Sequence, residues 1–476
     1  MAESINRKEL LEGPIISSLL KLAIPIVLAN TLQSAYQLID AFWVGRLGGN
    51  AVAAVSVTTP VVFLSIALGF GLAIAGSTLI AQYVGAGNFT MVNHVAAQTM
   101  LMVVLVSILL GALGYIFTPD LLNLIGVAPE VYQGALGFMR VTFIGLVFNF
   151  LFMVFQSFMR STGHPKVPVY IVLGTVVLNF VLDPFFIFGW GPIPRMGVMG
   201  AALATLSTQV VAACIGIIIL FRGRRGIHLR PKDFVPDWDY IKRAFLLGVP
   251  ASIEQSMRGL GLIMMTFLIT SFGTLTLAAY GVGSNVLQVI MIPAMGLSMS
   301  VSTLAGQNIG AGNVERAARI GRLGATVGFW TLTGFGILAF LLAPHLIAFF
   351  VPEDPQVITA GAKFLRTMSL AWGFIAIQLC LTGVFRASGN MIISMVLALI
   401  SQWVLQFPLA YVLSRHTSLG SEGLWWAFPV SNVIIALITW SVFLKGDWKK
   451  KRLTDEDEEL AQHISDGVLV EEGVRR

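Results

Sequence analysis

The sequence predicts an all-α integral membrane fold: twelve transmembrane helices in two parallel six-helix repeats. Three observations carry this. Hydrophobic residues make up 56% of the 476 and charged ones 11%, against about 25% charged in a soluble domain. Two stretches 225 positions apart match without a gap: Pro25 pairs with Pro250, Gly48 with Gly273, and Gln82-x-x-Gly85-Ala86-Gly87-Asn88 with Gln307-x-x-Gly310-Ala311-Gly312-Asn313. Arg160-Ser161-Thr162-Gly163 and Arg386-Ala387-Ser388-Gly389 form a later pair. Apolar runs long enough to span recur twelve times, six in each repeat. An even number of spans per repeat keeps both repeats in one orientation, hence a parallel arrangement.

In chain order the expected spans are 16–40, 52–77, 93–117, 131–158, 167–190, 197–221, 242–270, 278–303, 318–343, 359–384, 391–414 and 422–445. The domain plan is a cytoplasmic segment 1–15, a first lobe 16–221, a basic linker 222–241, a second lobe 242–445 and a cytoplasmic tail 446–476. Basic residues sort by loop: Arg7 and Lys8, Arg160 and Lys166, the linker with Arg222 to Arg243, Arg316 with Arg319 and Arg322, and Lys449 to Arg452. The other loops offer little beyond Arg46, Arg195 and Arg415, so both termini are expected in the cytoplasm. This asymmetry explains the net charge of +6 and argues against a nucleic-acid partner. The first apolar run is long enough to be retained as a span. Cys214 and Cys380 are expected to be inert buried thiols. The tail with Asp455-Glu456-Asp457-Glu458-Glu459 is expected to be solvated and partly disordered.

Ionisable residues inside a bilayer cost about 2.5–3.5 kcal/mol on insertion scales, so each calls for a reason. Asp40 lies near the outer end of the first span with Tyr36 one turn away. Asn179 and Asp183 share a face of the fifth span, and Thr205 of the sixth reaches a similar depth. Asp40, Asn179, Asp183 and Thr205, with Tyr36 beside them, therefore gather hard oxygen donors suited to a proton or a sodium ion. Each aspartate could instead end its helix at the interface. The repeat argues against that, because its counterparts are apolar: Met265 for Asp40, and Trp403 and Phe407 for Asn179 and Asp183. Glu254 in the seventh span has Ala29 as its counterpart and pairs at i,i+4 spacing with Arg258. The tenth span holds no acid to share a cation with it.

Pro25 removes a backbone hydrogen bond within the first span and is the candidate hinge. Phe143, Phe148, Phe150, Phe152, Phe155 and Phe158 on the fourth span, and Met291, Met295 and Met299 on the eighth, are first of all packing residues; any facing a cleft would accept dissimilar ligands. Gln33, Tyr36, Asn149, Asn179, Glu254 and Met295 are the candidate substrate contacts.

Twelve spans in two repeats, the paired QxxGAGN motif, "RSTGHP" after the fourth span, Asn179-x-x-x-Asp183-Pro184 and "GAALAT" at 200–205 together resemble the multidrug and toxic compound extrusion (MATE) family over roughly residues 14–445. Within it the chain looks like the prokaryotic DinF-like branch, whose first-lobe Asp, Asn, Asp and Thr map onto Asp40, Asn179, Asp183 and Thr205. The NorM-like branch uses acids on the seventh and tenth helices; only Glu254 matches. The resemblance implies a V-shaped monomer in the prokaryotic inner membrane, among membrane lipid. It implies alternating-access export of small organic cations or amphipathic drugs against H+ or Na+, with no cofactor and no enzyme activity. A flippase for lipid-linked or polysaccharide intermediates is the alternative, and it would require several cations facing the cavity. An intramembrane enzyme would need a nucleophile or metal set that the spans lack. A channel fits a sided acidic cluster poorly.

Overall fold

The computed structural model describes residues 7–190, 194–223, 225–450 and 452–456. Arg224 and the tail beyond 456 lie outside the described residues, and so do the side chains of Asp455 and Glu456. A short helix, Arg7–Glu12, precedes twelve long ones. These are α1 (Ile15–Gly45), α2 (Gly49–Ala86), α3 (Phe89–Ile125), α4 (Pro129–Ser161), α5 (Lys166–Phe188), α6 (Gly197–Phe221), α7 (Trp238–Thr270), α8 (Thr274–Gly310) and α9 (Val314–Phe350). Then come α10, built of Pro355–Ser369 and Trp372–Ala387, α11 (Met391–Arg415) and α12 (Ser421–Lys445). Ten are long and apolar enough to cross a membrane, and α10, bent by 50°, is an eleventh as a broken span. The remaining one, α7, carries Glu254 and Arg258 among its apolar residues and falls short on composition, although it occupies the seventh expected position.

Backbone conformation repeats with the sequence. Gly48 and Gly273, ahead of α2 and α8, have φ of 104° and 100°. Gly87 and Gly312 both have φ of 80°, and Gly163 and Gly389 both 79°. These left-handed positions are strained for any residue with a Cβ, which is why the motif spells glycine in both halves.

Two departures separate the repeats. Where α4 runs unbroken, α10 breaks at Leu370–Ala371. Gly336 of α9 lies there with only 2.7 Å between its would-be Cβ and the Ser369 carbonyl. In α11, residues Ile400–Gln406 widen into a π-helix, which α5 does not share.

The described residues divide into two compact units, 28–252 with Arg7 and 454–456, and 8–27 with 253–453. The boundaries fall within α1 after Val27 and within α7 after Ser252, positions related by the same 225-residue shift. Each lies two residues beyond the repeated proline, Pro25 and Pro250, rather than at the linker. In the first unit α4 packs against α2, α3 and α6; in the second α10 packs against α8, α9 and α12. Gly69 of α2 lets the Phe150 ring approach so closely that a Cβ would sit 2.4 Å from it.

Residues 228–237 are strapped to α3. Gln98 donates to the carbonyls of Asp233 (3.0 Å) and Val235 (2.7 Å), and its Oε1 accepts from the Asp237 amide at 3.1 Å. The Asn93 side chain accepts from His228 N, and His94 Nε2 lies 3.1 Å from Asp237 Oδ2. Asp237 in turn caps α7 by accepting from Tyr240 N. Cys380 is buried, but Cys214 is exposed on the surface of α6, contrary to the sequence expectation, because its helix face has no neighbour there.

Candidate functional site

The polar cluster of the first unit is assembled from α1, α5 and α6. Residues four apart on a helix share a face, so α1 presents Tyr36 with Asp40 and α5 presents Asn179 with Asp183. Thr205 Oγ1 donates to Asp40 Oδ2 at 3.3 Å. Asn179 Nδ2 donates to Asp183 Oδ1, also at 3.3 Å. The Asp40 and Asp183 carboxyls and the Asn179 amide are close enough to interact with one another. Asn179 and Asp183 are 0% exposed, whereas Asp40 is half-buried. All four residues grouped from the sequence thus come together.

Tyr36 joins them differently from expectation. Its hydroxyl lies 2.6 Å from Thr208 Oγ1, and Thr208 donates to the Thr205 carbonyl at 2.8 Å. With the Thr208 proton so used, Tyr36 donates to Thr208 and orients α1 against α6. Sequence reading missed Thr208; its three-residue spacing from Thr205 put it on the same face.

A cavity of about 240 Å³ opens onto Asp40 and Thr205. Gln33, Tyr36 and Asn149 line it, with Val62, Ile66, Phe138 and Leu146 as its apolar wall. No Lys, Arg or His is among the lining residues. Asn179 and Asp183 do not line the cavity but stand behind Asp40. The phenylalanines of α4 pack the core instead: Phe143, Phe150, Phe152, Phe155 and Phe158 are buried.

Three oxygens in this cluster, Asp40 Oδ1, Asn179 Oδ1 and Asp183 Oδ2, are buried and accept no hydrogen bond from described residues. Unsatisfied buried acceptors are costly, and facing carboxylates repel. A single proton shared between the acids, or one small cation among the oxygens, relieves both penalties. The donor set fits either ion.

The other candidates lie in the second unit. Glu254 is 1% exposed, and its Oε1 accepts from Arg258 Nη2 at 3.1 Å and from Arg386 Nη2 at 2.5 Å. Arg386 was not foreseen, although it is the repeat partner of Arg160, which donates to Ser157 Oγ at 2.7 Å. Met295 is exposed on α8.

The sequence profile of the MatE family matches residues 25–185 and 250–412. The chain is 29% identical over 437 residues to the probable multidrug resistance protein YoeA of Bacillus subtilis, covering 90% of this chain and 94% of that one. It is also 29% identical over 447 residues to the probable multidrug resistance protein YpnP of the same organism, covering 94% and 98%. A crystal structure of MATE in the straight conformation superposes with a TM-score of 0.87 at 24% identity, over 94% of this chain and 100% of that one, which shows a common fold.

Proposed function

We propose that this chain, which belongs to the MatE family, is a secondary active exporter of cationic or amphipathic organic compounds, driven by entry of a proton or sodium ion. What supports the reading most is the trio of unsatisfied oxygens on Asp40, Asn179 and Asp183 behind a cavity free of cationic side chains. A cationic substrate at the mouth and a coupling ion at the acids compete for the same negative charge, which is the requirement for exchange. Relatives named as multidrug resistance proteins point the same way.

In this scheme Asp40 meets the incoming ion at the cavity, and Asp183 with Asn179 holds it out of water. Neutralisation relaxes the repulsion between α1 and α5. The outer half of α1 then moves about Pro25, where a backbone hydrogen bond is missing, and the cavity contracts and displaces its cargo outward. Tyr36 and Thr208 carry that movement to α6. Gln33 and Asn149 supply neutral hydrogen bonds to substrate. We favour the proton over sodium: two facing carboxyls hold one proton with no further ligand, whereas sodium draws on the Asn179 and Thr205 oxygens as well. Buried and half-buried acids without a cationic partner among the described residues, gathered in the first repeat as Asp40 and Asp183, favour the DinF-like branch, and the basic loops favour cytoplasmic termini in a prokaryotic inner membrane.

The test is export of a fluorescent organic cation from liposomes holding the purified protein. A pH gradient, acidic on the side that the cation leaves towards, drives export without sodium. Export that demands a sodium gradient and ignores the pH gradient rejects the proton but keeps the site; no gradient-driven export rejects the function.

A further inference from the structure

A groove of about 350 Å³ runs over the outer surface of the second unit between α9, α10 and α12. Its walls are apolar: Ala325 and Phe329 from α9, Phe374 from α10, Leu437 and Trp440 from α12. Phe329 and Phe374 meet edge to face at 5.4 Å, giving the groove a firm floor.

Its position relative to a bilayer follows from helix lengths. The 37 residues of α9 extend about 55 Å at roughly 1.5 Å per residue, against a hydrocarbon core of about 30 Å. Centred, about eight residues at each end stand at headgroup level, so the boundary at the Val314 end falls near Arg322. The 25 residues of α12 overhang by only two or so at each end, which sets Trp440 in the interfacial aromatic belt. The groove therefore opens into hydrocarbon just beyond Thr326, and Arg322 and Arg319 lie on the preceding turns of the same helix face.

Both arginines are exposed, and neither guanidinium makes a hydrogen bond or a close ion pair among the described residues, although both lie near enough to Glu315 to act on it electrostatically. Their neighbours are engaged: Lys449 holds Glu315 at 2.8 Å, and Arg316 donates to the Gly13 carbonyl at 2.5 Å. Two exposed guanidinium groups at headgroup level, whose nearby acid Glu315 is already paired with Lys449, over an apolar groove at chain level, match an anionic phospholipid. The first repeat lacks the pattern, with His94 and Ala97 where Arg319 and Arg322 stand. His94 is occupied by Asp237.

We infer that the α9/α10/α12 groove is a binding site for one anionic phospholipid, its acyl chain against Phe329, Phe374 and Trp440 and its phosphate held by Arg319 and Arg322. The test is native mass spectrometry of the full chain in mild detergent, titrated with phosphatidylglycerol and phosphatidylcholine of matched chains. Wild type retains one phosphatidylglycerol with a preference of roughly thirtyfold, the scale set by two surface arginines. Arg319→Gln with Arg322→Gln brings the two lipids to parity. Thr326→Trp, which obstructs the groove beside intact arginines, weakens retention of both lipids. Thermal unfolding of each variant checks its fold. Parity in the wild type, a preference surviving the double variant, retention indifferent to Thr326→Trp, or full displacement by soluble glycerophosphate would each overturn the inference.

Discussion

Where the first unit gathers Asp40, Asn179, Asp183 and Thr205, the second has Met265 for Asp40 and Phe407 for Asp183, both in one apolar cluster with Phe364, Trp425 and Phe428. Where the second unit buries Glu254, the first has Ala29. Glu254 is neutralised by Arg258 and Arg386, so its charge is settled within the fold. Asp40 and Asp183 have no such cations among the described residues and are left with unsatisfied oxygens. One backbone plan thus meets the cost of intramembrane charge in two ways, by internal pairing in the second unit and, on the proposed function, by exposure to an exchangeable ion in the first. Only the second way can do transport work, because a permanently paired charge does not change partner.

The largest effect that would sharpen this contrast is expected at the acids. Asp40→Asn or Asp183→Asn lowers gradient-driven efflux at least about a hundredfold, equivalent to ~2.7 kcal/mol in rate, while membrane insertion is retained. Wild-type efflux in both variants would break the assignment.

Glu254→Gln is expected to act on stability more than on transport. It leaves two partly buried arginines without their acid, at a cost of roughly 3 kcal/mol for a broken buried pair, read as a lower Tm. Efflux stays closer to wild type than in either aspartate variant. If it falls as far as in Asp40→Asn, the second unit is also a coupling site.

A smaller effect is expected of Pro25→Ala. Restoring the missing backbone bond stiffens α1 and slows efflux about tenfold, ~1.4 kcal/mol, with little change in substrate binding. A variant equally fast would place the moving element elsewhere, Pro250 of α7 being the first alternative.

The smallest prediction compares repeat twins in the loops. His164 Nδ1 meets Thr162 Oγ1 at 3.3 Å, and its twin Asn390 donates to Ser388 Oγ at 2.9 Å. Burial, with Arg225 nearby, holds the His164 imidazole below its usual value of 6.5. The folded state therefore binds this proton less readily than the unfolded chain, so stability is full above pH 6.5 and falls as the pH drops below it. His164→Asn copies the second repeat and flattens that acid-side slope in thermal unfolding; an unchanged slope would assign it to another group.

Much of this was legible in sequence, and for identifiable reasons. Helices followed from apolar runs, and the left-handed glycines from the repeated motif, because both are local. Asp40, Asn179, Asp183 and Thr205 could be grouped because helix period and span direction fix depth. Arg258 was visible beside Glu254 at i,i+4 spacing, but Arg386 is 132 residues away and no periodicity points to it. The break at Leu370–Ala371 is announced neither by a proline nor by the glycine contact, since Gly111 approaches the Phe143 carbonyl of unbroken α4 as closely as Gly336 approaches that of Ser369. Contacts likewise set the unit boundaries inside α1 and α7, whereas composition placed the division at the basic linker 222–241, part of which is strapped to α3.

The central claim is that the acids of the first unit, and not Glu254, carry the coupling ion. It is tested most directly by counting protons displaced when purified protein binds an organic cation in weakly buffered, sodium-free solution near pH 7. About one proton per bound cation is predicted for wild type and for Glu254→Gln, and none for Asp40→Asn or Asp183→Asn. Release that persists in both aspartate variants, or disappears only in Glu254→Gln, would contradict the account.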